Sequence, residues 1–168
     1  MQNDPTLDRL LAEAEIRNLQ AAYARGVDRR DWDAVRACYH PDATDWHGSY
    51  RGGRDGFIDW VSARHATIQQ AVHFLGQSWF DWKGPELCHV ESYFLATRRR
   101  DGHDEAITGR YLDRFERRDN AWAIAERAVV YDLVQAFPIA KVLPVTHGLH
   151  GRRDGTDPGR VWDLSAQG

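Results

Sequence analysis

The chain has 168 residues, a formal net charge of −3 and a hydrophobic fraction of 42%. This length and composition fit one domain with one core, and they exclude a second large domain. Because 22 Lys and Arg are interspersed with 25 Asp and Glu, the composition argues against a broad basic surface for nucleic acid.

The N-terminal sequence MQNDPTLDRL lacks the basic start and apolar run of a signal peptide. No stretch approaches the ~18 consecutive apolar residues of a membrane span. The two cysteines, Cys38 and Cys88, have neither metal-ligand spacing nor the number that a disulfide framework needs. We therefore expect a cytoplasmic protein with reduced thiols and no membrane partner.

Two helices are predicted at the start of the chain. Apolar residues recur at helical spacing from Asp4, the expected cap, to Gly26, where the first helix should loosen. Asp31 should begin a second, shorter helix that His40 and Pro41 terminate.

A short strand or hairpin, a third helix and a strand meander are predicted next. The segment DATDWHGSYRGG alternates and ends in paired glycines, and residues 54–70 return to helical spacing. From Ala71 onward, Lys-Gly-Pro, Asp-Gly and Arg-Asp-Asn sequences separate four strand-like segments. The pattern predicts an α+β fold, with three N-terminal helices packed on a strongly curved, mostly antiparallel sheet that forms a cone around a cavity.

The segment from residue 135 to residue 168 contains prolines and several glycines, which indicate an irregular tail. We assign residues 1–134 to the cone domain and expect the tail to cover the cavity or a subunit interface. His147 and His150 form an H-x-x-H pair in this tail. Two histidines without a carboxylate or third ligand are weak evidence for a metal site, so we expect no metal.

Two ionisable residues, Asp28 and His73, fall where the pattern predicts buried faces. Asp28 ends the first helix, and His73 lies in the strand written AVHFLGQSWF. A carboxylate in contact with an imidazole inside an apolar cavity would orient the ring and raise its basicity, which makes a general base. Taken alone, Asp28 also fits a helix cap or an ion pair, and His73 fits a core position.

Tyr23 and Arg127 have two interpretations each. Tyr23 is either a core aromatic or a hydrogen-bond donor to a substrate oxygen. Arg127 shares a strand face with apolar residues, so its charge requires either a ligand or a salt bridge to an acid on a neighbouring strand.

The element order resembles the SnoaL-like branch of the nuclear transport factor 2-like superfamily. The phrases that carry the resemblance cover about residues 6–134 and read AEIRNLQAAYARGVDRRDWDAVRACYHPDATDWHGSYRG, VHFLGQ and GRYLDRFERRDNAWAIAERAVVYD. Residue by residue, the chain is most similar to scytalone dehydratase, bile acid 7α-dehydratase and hexachlorocyclohexane dehydrochlorinase. The resemblance implies an Asp–His catalytic pair at Asp28 and His73. Tyr23 matches a tyrosine of the bile acid enzyme, and Arg127 matches an arginine of the dehydrochlorinase.

The resemblance implies a cofactor-independent lyase that removes water, or a small carbon fragment such as formaldehyde, from a hydroxylated aromatic, polycyclic or steroid-like substrate. The family lines its cavity with the short strand, which makes Trp46, His47 and Tyr50 expected substrate contacts beside Arg127. Relatives are often trimers, so we expect a homotrimer. Two alternatives stay open: an isomerase or cyclase of the ketosteroid isomerase type, and a non-catalytic ligand-binding or dioxygenase small-subunit-like module.

Overall fold

The computed structural model describes residues 5–139, 143 and 146–161. The helices are α1 (Pro5–Arg29), α2 (Trp32–Ala37), α3 (Arg54–His65) and α4 (Pro158–Val161). The strands are β1 (Tyr39–His47), β2 (Tyr50–Gly53), β3 (Gln70–Gly84), β4 (Leu87–Arg100), β5 (His103–Arg118) and β6 (Ala121–Pro138).

The six strands form one curved, unclosed sheet in the order β2-β1-β6-β5-β4-β3. Neighbouring strands are antiparallel except for β1 and β6, which are parallel. Between β5 and β6 the two turn residues, Asp119 and Asn120, have φ angles of 51° and 64°. Such left-handed pairs match the twist of a two-residue hairpin. The predicted α+β fold and four-strand meander are confirmed.

Helix α1 is positioned by a stripe of buried residues. These residues recur at intervals of three or four along the helix, and they are Ala12, Ile16, Gln20, Tyr23 and Val27. The stripe packs the helix on the sheet, with contacts to β3 and β6. Consequently the last two turns of α1, which carry Tyr23 and Asp28, lie against the interior of the cone.

Two predicted helix boundaries are wrong. Tyr39, expected in the second helix, and His40, expected to end it, open β1. Tyr39 pairs with Ile124 of β6, and a ring nitrogen of His40 lies 2.9 Å from a β5 carbonyl. The third helix ends at His65 rather than near Gln70, which pairs with β4 instead. In both places long-range strand pairing overrides the local helical pattern.

The C-terminal segment folds back on the end of α1. β6 continues to Pro138, beyond the predicted boundary at residue 134. Further on, Arg29 forms a 2.7 Å ion pair with Asp157, and Arg160 forms a 3.0 Å ion pair with Asp31. Asp4, the predicted cap of α1, lies outside the described residues. Among the described helices, none is long and apolar enough to cross a membrane.

Candidate active site

A cavity of about 40 Å³ lies between α1, α3 and the concave face of the sheet, and it adjoins a mouth of about 420 Å³. Its polar lining consists of imidazoles, phenols and one guanidinium: Tyr23, His47, His65, His73, Arg98, Tyr111 and Tyr131. Its apolar lining is Val27, Val61, Phe94, Ala96 and Ile107. An apolar cavity with a few convergent polar groups is the usual form of a small-molecule site.

Asp28 and His73 are in direct contact at the wall of this cavity. Asp28 Oδ1 lies 2.6 Å from His73 Nδ1, and Asp28 Oδ2 accepts a 3.0 Å hydrogen bond from the backbone N–H of His73. Their side chains are only 15% and 11% exposed. Because a carboxylate only accepts, this contact assigns the ring proton to Nδ1 and leaves the lone pair of Nε2 free.

Tyr23 lies deep in the site as a protonated phenol. Its side chain is buried, and its ring packs edge-on against Tyr39 and Tyr111 with centroids 6.1 and 5.8 Å away. Burial raises the pKa of Tyr23 well above its ordinary value, so the hydroxyl keeps its proton at neutral pH. Tyr23 is therefore a hydrogen-bond donor at the cavity wall.

Arg127 forms a buried ion pair instead of reaching the cavity lining. Its Nε and Nη2 donate to the two carboxylate oxygens of Asp113 at 2.6 and 2.7 Å, and both side chains are at most 1% exposed. The guanidinium carbon lies 4.1 Å from the ring centroid of Tyr23 and 4.3 Å from that of Tyr111. The salt-bridge interpretation of Arg127 thus describes the structure, and Arg127 supports the two tyrosines from behind.

His47 lines the cavity beside a second acidic residue. Its Nδ1 lies 3.5 Å from Asp45 Oδ1, too long for a strong hydrogen bond. Asp45 Oδ2 accepts instead from the Tyr39 hydroxyl at 2.8 Å. Burial lowers the pKa of His47, which makes this ring neutral near pH 7.

Trp46 and Tyr50 lie away from the cavity. Adjacent strand residues point to opposite faces, so Trp46 points away from the cavity that His47 lines. Trp46 is 53% exposed, and the Arg51 guanidinium lies 4.9 Å from its ring. The Tyr50 hydroxyl donates to the Gly53 carbonyl at 2.7 Å. The structure thus brings together Tyr23, Asp28, His47 and His73 but places Trp46 and Tyr50 elsewhere.

The sequence analysis missed His65. This residue is 5% exposed and lines the cavity from α3. Its signal in the sequence was its place on the apolar stripe with Ile58 and Val61, where an ionisable side chain requires a partner. Burial, followed by the charge of Arg153, lowers the pKa of His65 to about 2.

The mouth of the cavity is wider and carries more charge. It shares His65 and Tyr131 with the cavity and adds Trp60 and Arg64 at its edge. The mouth also contains Arg98 and Glu105, which form a 2.9 Å ion pair. Within residues 5–139, 143 and 146–161, no three His, Cys, Asp or Glu side chains cluster as metal ligands would.

A separate groove of about 410 Å³ crosses the sheet near Trp79 and Leu112. These two residues are 73% and 38% exposed and belong to the face of the sheet that lies opposite the cavity. The groove does not include Asp28 or His73. The inner cavity is the better candidate site, because buried groups with perturbed protonation converge there.

Comparisons with known proteins identify the family of this fold. Residues 8–128 match the family model described as the SnoaL-like domain. No curated protein sequence matches the chain.

Solved structures with the same fold have low sequence identity. A candidate scytalone dehydratase from Novosphingobium aromaticivorans is 17% identical, with a TM-score of 0.73 over 85% of this chain and 99% of that chain. A hexachlorocyclohexane dehydrochlorinase, LinA type 3 from Novosphingobium barchaimii, is 19% identical, with a TM-score of 0.76 over 83% and 99%. At these identities the likeness shows the fold alone.

Proposed function

We propose that this chain, which belongs to the SnoaL-like domain family, is a lyase of the dehydratase type. The observation that carries the proposal is the hydrogen bond between Asp28 and His73 at the wall of the buried inner cavity. Similar structures with dehydratase and dehydrochlorinase names agree with an elimination reaction.

In the proposed reaction, His73 Nε2 removes a proton from the substrate and Asp28 stabilises the imidazolium that forms. The electrons of the broken C–H bond form a new double bond, and a C–O bond on the adjacent carbon breaks. The leaving oxygen accepts a hydrogen bond from Tyr23 and a proton from the imidazolium, and it departs as water. General acid–base catalysis of this kind contributes ~10²–10⁴-fold.

The same residues support loss of formaldehyde from a hydroxymethyl group. There His73 removes the hydroxyl proton, the C–C bond breaks with release of formaldehyde, its electron pair passes to the aromatic ring, and the ring carbon takes the proton back from the imidazolium. Both versions balance without a cofactor, so we propose a cofactor-independent enzyme.

The cavity walls suit a ring-shaped substrate. Phe94 and Tyr111 stack with centroids 4.6 Å apart, and Tyr131 lines the same cavity. Aromatic walls favour flat apolar ligands, and the buried phenol of Tyr23 favours an oxygen leaving group. We therefore propose a hydroxylated aromatic, polycyclic or steroid-like substrate.

One observation favours an isomerase as the second candidate. The neutral ring of His47 lines the same cavity as His73, so it offers a second group through which a removed proton can return to another carbon. A binding module without chemistry, including a dioxygenase small-subunit-like role, would use the Asp28–His73 pair only as structure.

Incubation with a panel of hydroxylated steroids and diaryl phenolics, followed by mass spectrometry, distinguishes these functions. We expect the wild type to release water or formaldehyde, and His73→Ala to lose this activity. His89→Ala is the matched control, because His89 lies along the outer groove. An unchanged mass with a new retention time would indicate an isomerase. If neither protein turns over any substrate that stabilises it thermally, the lyase proposal is wrong.

We also propose that the outer face of the sheet packs between copies of the chain in a homotrimer. Val72, Phe74, Trp79 and Leu95 are between 43% and 73% exposed there, and Phe74 pairs with Leu95 across β3 and β4. Contiguous exposed apolar surface of this kind marks an interaction site. A cytoplasmic location belongs to the same proposal, and the buried, unpaired thiols of both cysteines agree with it.

A further inference from the structure

Arg153 connects the C-terminal segment to the base of the candidate active site. It is 9% exposed, and its guanidinium donates from Nε to the Asp28 carbonyl at 2.7 Å and from Nη1 to the Ile68 carbonyl at 2.7 Å. Its Nη2 lies 3.1 Å from the Val27 carbonyl and 2.8 Å from His65 Nδ1. One side chain therefore joins the end of α1, the connection between α3 and β3, and a cavity histidine.

The contact between Arg153 and His65 determines which ring nitrogen carries the proton. A guanidinium has donors only, so His65 Nδ1 must accept and the proton must lie on Nε2. A positive charge at 2.8 Å also disfavours a second proton on the ring. His65 is therefore a neutral imidazole with an N–H at Nε2.

The cavity thus contains two imidazoles with opposite hydrogen-bonding roles. Asp28 holds the proton of His73 on Nδ1 and leaves Nε2 as an acceptor. Arg153 donates a hydrogen bond to Nδ1 of His65, which leaves the Nε2–H group of this ring as a donor. An oxygen that loses or shares a proton at His73 can accept a hydrogen bond from His65.

We propose that Arg153 fixes the proton of His65 on Nε2, and that His65 donates from this atom to the substrate oxygen on which negative charge develops. The inference rests on the proposed lyase function. His65 is then a substrate-binding residue, and Arg153 is a positioning residue that acts through it. A neutral donor suits this position, because it stabilises developing charge without competing with His73 for the proton.

The position of the C-terminal segment agrees with this role. Arg25 donates to the Gly159 carbonyl at 2.6 Å, and Arg29 pairs with Asp157 at 2.7 Å. These contacts anchor the segment beside the C-terminal turn of α1. Arg153 also satisfies two carbonyls of this turn, where a positive charge interacts favourably with the helix dipole. The segment is therefore part of the active-site structure.

The tautomer is measurable without a substrate. Long-range ¹H–¹⁵N correlation spectra of the full chain, labelled with ¹⁵N-histidine, distinguish protonated from unprotonated ring nitrogens. The His65 signals are assigned by their loss in His65→Gln. We expect Nδ1 of His65 to be unprotonated, and Nε2 to be protonated, from about pH 5 to pH 8, the interval in which ordinary histidines titrate. A proton on Nδ1, or a titration within this interval, would overturn the proposal.

Arg153→Met tests the positioning role. Without the guanidinium, Nδ1 of His65 loses the donor that holds its lone pair, so the ring should show a mixture of tautomers. Arg152→Met is the matched control from the same segment, because its side chain donates to the exposed hydroxyl of Thr156 and should leave the spectrum unchanged. An unaltered His65 tautomer in Arg153→Met would contradict the role of Arg153. If this variant does not fold, the wild-type spectrum still decides the tautomer.

His65→Leu and His65→Gln test the donor role. On a substrate found by mass spectrometry, we expect the leucine variant to lose ~10²-fold in kcat, and the glutamine variant, which keeps an N–H donor, to recover part of the loss. Equal kcat values in wild type and His65→Leu would overturn the donor role.

If no substrate turns over, the lyase proposal fails while the spectra still judge the tautomer. The donor role is then judged with 2-naphthol, whose hydroxyl can donate to His73 and accept from His65. We expect at least ~10-fold weaker binding by His65→Leu, about the value of one hydrogen bond. Equal affinities, or no binding by wild type, would contradict it.

Discussion

Replacing Arg127 with methionine should destabilise the protein strongly. The change leaves the Asp113 carboxylate buried without the two hydrogen bonds, 2.6 and 2.7 Å long, that it accepts in the wild type. Removing one partner of a buried ion pair costs about 3–5 kcal/mol. For a chain of this size each kcal/mol lowers Tm by about 2–4 °C, so we expect a fall of roughly 6–20 °C.

The assay is thermal and urea denaturation of four proteins: wild type, Arg127→Met, Asp113→Leu and the double variant. Each single variant leaves one buried charge alone, whereas the double variant replaces both charges with apolar groups. Such replacements are often neutral or stabilising, so the double variant should regain most of the lost stability. With single losses of about 3–5 kcal/mol each and a double variant close to the wild type, the cycle yields a coupling energy of roughly 5–10 kcal/mol, above the usual range for neighbouring residues.

Ligand-binding measurements on the same four proteins separate the two interpretations of Arg127. If Arg127 binds substrate directly, Arg127→Met weakens binding, and the Arg127→Met/Asp113→Leu double variant regains stability without regaining affinity. If Arg127 acts only by supporting Tyr23 and Tyr111, the double variant should regain both. A single variant with an unchanged Tm would refute the reasoning, because it would mean that the buried carboxylate finds water or another donor.

Three further predictions concern the base, the outer face and the buried histidine. Asp28→Asn supplies one acceptor oxygen where His73 presents two donors. The His73 ring should therefore lose its fixed tautomer, and kcat should fall by ~10²–10⁴-fold. Steady-state kinetics equal to those of the wild type would contradict this prediction. Phe74→Glu should dissociate the oligomer in light scattering, whereas Leu10→Glu, at a similarly exposed site on α1, should not; a wild-type monomer would refute the trimer. Because burial holds His65 neutral in the folded state while it protonates near pH 6.5 in the unfolded state, the unfolded state binds more protons below that pH. Stability should therefore fall with acidification by about 1.4 kcal/mol per pH unit from this group alone between about pH 6 and pH 4, and urea melts of His65→Gln should show a slope smaller by that amount.

Most of the fold could be predicted from the sequence because its signals are local. Turn residues such as Asp119 and Asn120 separate long alternating strands, and their left-handed backbone is what a tight hairpin needs. The boundary at Tyr39 could not be predicted in this way, because its strand pairing depends on β6, more than eighty residues later. Asp28 and His73 could be proposed as a pair only through the family resemblance, since 45 residues separate them.

The contact between Arg153 and Asp28 is even harder to predict from the sequence. The two residues are 125 positions apart, and Arg153 stands in a Gly-rich segment with no periodicity that would predict burial. A charged residue becomes informative only when the structure shows that several carbonyls and an imidazole surround it. His65 had a local signal, yet its tautomer depends on this distant side chain.

Asp28 therefore has two separate structural tasks that use different atoms. Its carboxylate binds both the backbone and the ring of His73, while its carbonyl accepts from Arg153. The orientation of the proposed base is thus tied to the same residue that receives the C-terminal segment. Because Arg153 also contacts His65, a shift of the segment would disturb the acceptor and the donor of the cavity together. One turn of α1 and one arginine thus orient two histidines on different elements, with the carboxylate of Asp28 at Nδ1 of His73 and the guanidinium of Arg153 at Nδ1 of His65.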